Sequence, residues 1–158
     1  MCYNRGEKHA GPSKCLQRRG DLNRELVAQF LRRGAITCNE ETTLHLVAQI
    51  MVVNRIRYCV VLNNKREVMG LISSDMMINA LGKDFGTARA KDIVTPDSIP
   101  TVTLSTPITD AVALMAKEAI EHLIVVSDKA GSRAVIGMLF ASDIIACMAK
   151  AGEKGEVS

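Results

Sequence analysis

The stretch AITCNEETTLHLVAQIMVVNRIRYCVVLN, residues 35–63, returns in altered form as IPTVTLSTPITDAVALMAKEAIEHLIVVS, residues 99–127. A constant offset of 64 positions aligns the two stretches over 29 residues without a gap. The matched positions include Thr37 and Thr101, Met51 and Met115, and Ile56 and Ile120. Self-similarity of this length indicates one structural unit used twice. We therefore expect a fold made of two similar copies.

Each copy begins with a short extended piece and an amphipathic helix. Thr42 and Thr106 are placed to cap these helices, and Pro107 suits the first helical position. The apolar residues recur at helical spacing. They are residues 44, 47, 48 and 51 in the first copy and 108, 111, 112 and 115 in the second.

The rest of each copy reads as two strands and a closing helix. Runs rich in β-branched residues predict strands at 58–62 and 123–127, followed by strands at 67–73 and 134–140. Ser74 and Ser142 are placed to cap last helices near 75–81 and 143–150. The predicted unit is β-α-β-β-α, so the fold class is α/β (α+β) with two such repeats.

Segments outside the repeat complete the predicted organisation. DLNRELVAQFLRRG, residues 21–34, predicts a leading helix capped by Asp21 and ended by Gly34. The matching region before the second copy, residues 87–98, predicts a short helix that stops before Pro96. We divide the chain into a basic leader (1–20), a first repeat with its leading helix (21–82), a second repeat (83–151) and a tail (152–158).

The two copies resemble a pair of CBS domains, the module named after cystathionine β-synthase. In the first copy the resemblance rests on TTL at 42–44, IR at 56–57 and VMGLIS at 68–73. In the second it rests on AKDIVTPDSIPTVTLSTPITDAVALMAKEAIEHLIVVSD at 90–128. The resemblance implies that the copies pack through their strands as a pseudo-twofold pair, a Bateman module, and that such pairs form homodimers. It also implies a stand-alone regulatory module, since no enzyme or channel domain accompanies it.

The resemblance further implies a ligand: AMP, ADP, ATP or S-adenosylmethionine, bound between the copies and sensed on behalf of a regulated protein that the sequence does not name. The family pattern G-h-h-[ST]-x-x-D places a hydroxyl and a carboxylate against the phosphate or ribose. The ligand-binding residues implied in the first copy are Ala35, Ile36, Thr37, Tyr58, Cys59, Val60, Ser73 and Asp75. Those implied in the second copy are Ile99, Pro100, Thr101, His122, Leu123, Ile124, Phe140 and Asp143.

Both copies depart from that pattern. GLISSD, residues 70–75, keeps the hydroxyl of Ser73 but is one residue short, so Met76 falls where the Asp is expected. GMLFASD, residues 137–143, keeps Asp143 but has Phe140 in place of the hydroxyl. The two sites are therefore not equivalent. The alternative is a ligand-free module with degenerate clefts that acts through dimerisation or protein interaction.

Composition limits the remaining functions. Residues 1–33 carry eight Lys and Arg but three Asp and Glu, so a leader that contacts nucleic acid is a further possibility, although no aromatic residues interleave the charges. The five cysteines include no C-x-x-C, so no metal site is expected. No nucleophile–base pair, P-loop or dinucleotide fingerprint suggests an enzyme. No apolar run approaches about 20 residues, so we expect a cytoplasmic protein without a membrane span.

Overall fold

The computed structural model describes residues 22–95 and 99–153, and the leader and tail predicted from sequence lie almost wholly outside them. The first copy forms a three-stranded sheet of β2 (Thr37–Asn39), β3 (Tyr58–Leu62) and β4 (Val68–Ser73). The second copy forms β5 (Thr101–Thr103), β6 (His122–Val126) and β7 (Val135–Phe140). In each sheet the first strand runs parallel to the central one and the last runs antiparallel to it.

Four helices complete the two copies: α1 (Leu44–Asn54), α2 (Ser74–Asn79), α3 (Ile108–Glu118) and α4 (Ala141–Glu153). The predicted order β-α-β-β-α is therefore confirmed in both halves. The fold class is confirmed as well, since the protein is a mixed α and β structure with two sheets.

The caps of α1 and α3 lie one residue beyond the predicted positions. Thr43 caps α1 by accepting the amide of Leu46 at 3.4 Å, and Pro107 occupies the cap position of α3. The predicted caps, Thr42 and Thr106, instead accept the amides of Asn39 and Thr103, each at 3.1 Å. Their hydroxyls close the turn ahead of the helix, because the chain must reverse there before the helix can begin.

The closing helices also begin earlier than predicted. Ser73, not Ser74, caps α2 by accepting the amide of Met76 at 3.2 Å. Helix α4 starts at Ala141, which places Ser142 inside the helix. In both copies the last strand residue is followed at once by the first helical residue.

The predicted leading helix is wrong. Residues 22–31 form two 3₁₀ turns, Leu22–Arg24 and Val27–Gln29, and then a two-residue strand, β1 (Arg32–Arg33). The amides of Val27 and Ala28 donate to Thr106 and Leu104 of the second copy, at 2.9 and 3.1 Å. Because these donors are committed to another part of the chain, they do not form the i−4 bonds of an α-helix.

The short helix predicted within 87–98 is likewise a single 3₁₀ turn, Ala90–Asp92. Its amides face the first copy in a matching way: Ala90 donates to Thr42 at 2.8 Å and Lys91 to Glu40 at 2.9 Å. Each copy therefore receives a short segment that precedes the other copy in sequence.

This exchange joins the two cores. Val27, Phe30 and Leu31 are buried with α3 and the second sheet, whereas Ala90 and Val94 are buried with α1 and the first sheet. Strand β1 extends the second sheet by pairing antiparallel with β7, giving the strand order β1-β7-β6-β5. Neither copy completes its core from its own repeat.

A third apolar layer holds the two sheets face to face. Its buried residues are Val60, Val68 and Leu71 from the first sheet and Ile124, Val126 and Met138 from the second. Tyr58 and Phe140 pack at the margin of this layer, where the strands end and the predicted site residues lie. No helix among the described residues is long and apolar enough to cross a membrane.

Candidate ligand-binding clefts

Two strand-to-helix corners define the candidate clefts. We call residues 73–76 the first corner and residues 140–143 the second corner. The amide of Ser74 donates to the carbonyl of Arg57, and the amide of Ala141 donates to the carbonyl of Glu121, both at 2.9 Å. These equivalent bonds fix the correspondence between the corners.

The correspondence shows that GLISSD is one residue shorter than GMLFASD between Ser73 and Asp75. Ser73 matches Phe140, because each ends its strand, and Met76 then matches Asp143. Asp75 lies one position earlier on the helix, a rotation of about 100°, and it is exposed, whereas Asp143 is buried. The first corner therefore presents a hydroxyl without a matching carboxylate, and the second presents a carboxylate without a hydroxyl.

Asp143 is held by a residue that the sequence analysis did not select. The Nε of Arg32 donates to Oδ2 of Asp143, and its Nη2 donates to Oδ1, both at 2.7 Å. The Asp143 side chain is only 5% exposed, and that of Arg32 is 36% exposed. Such a bidentate pair is among the stronger side-chain contacts in proteins. The bond to Asp143 raises the pKa of the Arg32 guanidinium, so the guanidinium stays charged.

Arg32, Phe140 and His122 lie on one face of the second sheet. Strand β1 aligns Arg32 with Met138, and β6 aligns His122 with Phe140. Because side chains two residues apart on a strand share a face, all three project toward the first sheet. The guanidinium carbon of Arg32 lies 5.1 Å from the centre of the Phe140 ring, within range of a cation–π contact.

A pair of rings in contact connects the two corners. The centres of Tyr58 and His122 are 4.2 Å apart, with the ring planes tilted by 41°. Tyr58 lies opposite Ser73 of the first corner, and His122 lies opposite Phe140 of the second. These two residues match each other in the repeat, so the contact lies near the axis relating the two copies.

His122 is buried with an unsatisfied ring nitrogen. Its Nε2 has no hydrogen-bond partner among the described residues, although the residue is only 7% exposed. Desolvation lowers the pKa of His122, an effect partly opposed by the neighbouring Glu121. The imidazole is therefore neutral near pH 7, and its free nitrogen is available to a polar group that enters between the sheets.

The opening segments of the two copies lead into the strands that pair with β3 and β6. The amide of Gly34 donates to the carbonyl of Ile136 in β7 at 3.0 Å, and the amide of Val60 donates to the carbonyl of Ile36 at 3.1 Å, so residues 35–37 pass from the second sheet to the first. Thr37 then pairs with Val60, and Thr101 pairs with Ile124 in the corresponding way. Ala35 and Ile99 pack against the apolar layer between the sheets.

Two predicted residues face away from the clefts. Cys59 is buried against α1 in the core of the first copy, and Leu123 is buried against α3 in the core of the second. Their strands alternate, so it is Val60 and Ile124 that lie between the sheets. Cys59 and Leu123 can offer a ligand only their backbone groups.

No group of three or more His, Cys, Asp or Glu side chains suited to a metal ion occurs in residues 22–95 and 99–153. The polar groups that converge on the second corner are instead one carboxylate, one guanidinium and one neutral imidazole. These groups accept and donate hydrogen bonds to a polar organic molecule, and Phe140 offers a ring face for stacking.

The CBS domain family matches the sequence over residues 27–83 and again over 90–150. The chain therefore belongs to the CBS domain family and contains two copies of the domain. A search of curated proteins finds no match.

Solved structures share the paired architecture. The CBS domain pair of protein MJ0100, in complex with 5'-methylthioadenosine and S-adenosyl-L-methionine, is 23% identical with a TM-score of 0.67, covering 82% of this chain and 97% of that one. The CBS domain protein PAE2072 from Pyrobaculum aerophilum, complexed with AMP, is 20% identical with a TM-score of 0.67, covering 81% and 98%. A putative acetoin utilization protein (AcuB) from Vibrio cholerae is 18% identical with a TM-score of 0.69, covering 84% and 96%.

Proposed function

We propose that this protein is a regulatory module that binds an adenosine-containing ligand between its two CBS copies. The carrying observation is the second corner, where the buried Asp143 carboxylate in the first turn of α4 is bonded to Arg32, which shares a sheet face with His122 and its unsatisfied Nε2. A carboxylate accepts both hydroxyls of a ribose, and the imidazole supplies a further polar contact. The AMP and S-adenosylmethionine complexes of related CBS pairs support this class of ligand.

The proposed cleft combines parts of both copies. Residues 35–37 and Val60 would line one side of the base, with His122, Ile124 and Phe140 on the other. The first corner, with Ser73, Asp75 and Tyr58, is a second candidate cleft together with residues 99–101. We expect weaker ribose binding there, because Met76 stands where Asp143 stands in the second corner.

Titration with AMP, ADP, ATP and S-adenosylmethionine tests the proposal. A ligand at about 100 times its dissociation constant stabilises the folded state by about 2.7 kcal/mol, which a thermal-shift assay resolves. We expect at least one of the four to raise Tm, and Asp143→Asn to abolish that shift. Asp110→Asn, at an exposed site in the first turn of α3, is the matched control. Absence of any shift at millimolar ligand contradicts the proposal.

A ligand-free interaction module is the second candidate. It is favoured by the Arg32–Asp143 pair and by Phe140 in the hydroxyl position, which together occupy the second corner. Under this alternative none of the four ligands stabilises the protein, while self-association persists. The same titration therefore separates the two functions.

We further propose that the protein forms homodimers through its helices. Val52 and Val53 on α1 and Ile78 on α2 are strongly exposed apolar residues, as are Ile145 and Met148 on α4. An apolar groove of about 280 Å³ lies between α1 and α2, lined by His45, Ala48, Met77, Ile78, Leu81 and Phe85. Exposed apolar surface of this kind favours association, and a second copy would bring matching faces. Light scattering of the wild type and of Ile78→Glu would measure the change from dimer to monomer.

The regulated protein is part of the same proposal. A ligand between the sheets would alter how the helices present their apolar faces to that partner. We assign no catalytic role to the chain, and we propose a cytoplasmic location, which cell fractionation would check. The leader lies outside the described residues, and its binding to nucleic acid stays a prediction that deletion of residues 1–20 would test.

A further inference from the structure

The Arg32–Asp143 pair controls access to the carboxylate that the proposed function assigns to the ribose. Each oxygen of Asp143 accepts one bond from the guanidinium, and the rest of the side chain is almost fully covered. A ribose must reach the same two oxygens. Each oxygen has a second lone pair, but the Asp143 side chain is only 5% exposed, so we take binding at the second corner to require Arg32 to leave Asp143.

The Arg32 side chain is exposed enough to leave Asp143. Its side chain is 36% exposed, and its backbone is fixed in β1 beside Met138. The guanidinium can therefore turn toward solvent while the strand stays in place. Without a new anion, however, the two bonds between Arg32 and Asp143 are broken and not replaced on the Arg32 side, which disfavours binding of a neutral nucleoside.

A phosphate group supplies the missing anion. It forms bidentate contacts with a guanidinium as a carboxylate does. When a phosphorylated nucleoside binds, its ribose hydroxyls replace Arg32 on Asp143, and its phosphate replaces Asp143 on Arg32. A neutral nucleoside offers hydroxyls to Asp143 but no anion to Arg32.

We propose that Arg32 is a specificity-determining residue that makes the second corner select phosphorylated adenosine over adenosine itself. This inference rests on the proposed function and names the phosphate as the group that Arg32 recognises in AMP, ADP and ATP. It assigns Arg32 two alternating partners: Asp143 in the free protein and the phosphate in the complex.

Calorimetric titration of the full chain with AMP and with adenosine tests the selection. We expect the wild type to bind AMP at least about a hundredfold more tightly than adenosine, a difference typical of an exchanged charge pair. Arg32→Met should reduce this ratio to about fivefold or less, and part of the change must be tighter adenosine binding, because Asp143 is then free. The gained adenosine binding should disappear in the double variant Arg32→Met, Asp143→Asn.

Arg33 provides the matched control. It is the other residue of β1, is exposed, and pairs with Gly137 on the opposite face of the strand from Arg32. Arg33→Met removes the same charge from the same strand and should keep the wild-type ratio. A ratio that Arg32→Met leaves unchanged, or a wild type that binds adenosine as tightly as AMP, overturns the inference.

Two further outcomes remain decisive. If the wild type binds neither ligand, the proposed function fails for the natural chain; adenosine binding by Arg32→Met then still supports the role of Arg32, and its absence overturns it. If Arg32→Met does not fold, Arg32→Lys retains a charge but cannot hold both carboxylate oxygens. We then expect the ratio to fall to about tenfold, and an unchanged ratio overturns the inference.

Discussion

At the scale of a single residue, His122 is a buried polar side chain at a position where the two copies meet. The repeat alignment pairs it with Tyr58, and in the structure the centres of the two rings lie 4.2 Å apart. The resemblance to CBS domains implied His122 as a site residue, but it did not show that Nε2 would lack a partner. Whether a buried nitrogen finds a hydrogen-bond partner depends on all the side chains packed around it, and the sequence alone does not show which side chains those are.

The buried imidazole predicts a pH-dependent stability. Because burial lowers the pKa of His122, the unfolded chain binds a proton more readily, beginning near the ordinary value of about 6.5. The His122 contribution is therefore complete above that pH and is lost progressively as the pH falls below it. The slope for one proton is at most about 1.4 kcal/mol per pH unit.

Urea unfolding of the wild type and of His122→Phe between pH 7.5 and about 5 measures this contribution. We expect the wild type to lose more stability over this interval than His122→Phe. His45→Gln, at an exposed site on α1, controls for the loss of an imidazole as such. Equal pH dependence in the wild type and His122→Phe would show that the imidazole does not titrate on unfolding.

Strand β1 is the element that sequence reasoning missed. Leu22, Leu26, Val27, Phe30 and Leu31 have the spacing of a helical apolar face, and that spacing predicted a helix. The pattern correctly identified buried residues, since Val27 and Phe30 are almost fully covered. It could not show that their backbone bonds would go to the second copy, nor that Arg32 would meet a carboxylate 111 positions away.

Gly137 explains why the second corner motif begins with glycine. A Cβ added there would collide with the backbone carbonyl of Arg32 and crowd the side chain of Leu31. The close approach of β1 to β7 thus needs a residue without a side chain. The glycine noted in the sequence is accounted for by strand pairing rather than by ligand contact.

Gly137→Ala should therefore displace β1 from the second sheet. We expect a loss of about 1–3 kcal/mol in the free energy of unfolding, the range for overpacking at a rigid backbone contact. Hydrogen exchange should show faster exchange at the Arg32 and Gly34 amides than in the wild type. Gly86→Ala, in an exposed turn where the only close neighbour is the Asp84 side chain, is the control and should change stability little. Intact protection of β1 in Gly137→Ala would contradict this account.

At the scale of the whole molecule, the repeat was sufficient to predict two β-α-β-β-α copies, and the resemblance to CBS domains implied the meeting of their sheets. Alternation along β3 and β6 places Val60 and Ile124 between the sheets, as the pseudo-twofold arrangement requires. The exchanged segments were not predictable, because each lies where a simple division of the chain assigns it to its own copy. Phe30 and Ala90 are nevertheless buried in the core of the opposite copy.

This exchange predicts that the two copies unfold as one unit. Met51 and Met115 are equivalent core residues, one in each copy, and both are buried. Replacing either with Ala should cost about 2–5 kcal/mol through lost burial and the cavity left behind. Because each core includes a segment covalently joined to the other copy, and the sheets share a third apolar layer, either substitution should destabilise both halves.

Hydrogen exchange measured separately at the β3 and β6 amides distinguishes cooperative from independent unfolding. In Met51→Ala we expect protection to fall by similar amounts in β3, within the altered copy, and in β6, across the sheet interface, since global opening limits exchange at core strands. Met115→Ala should give the same result from the other side. Loss of protection confined to β3 in the first variant and to β6 in the second would mean that the copies open independently, and that the exchanged segments detach at little cost.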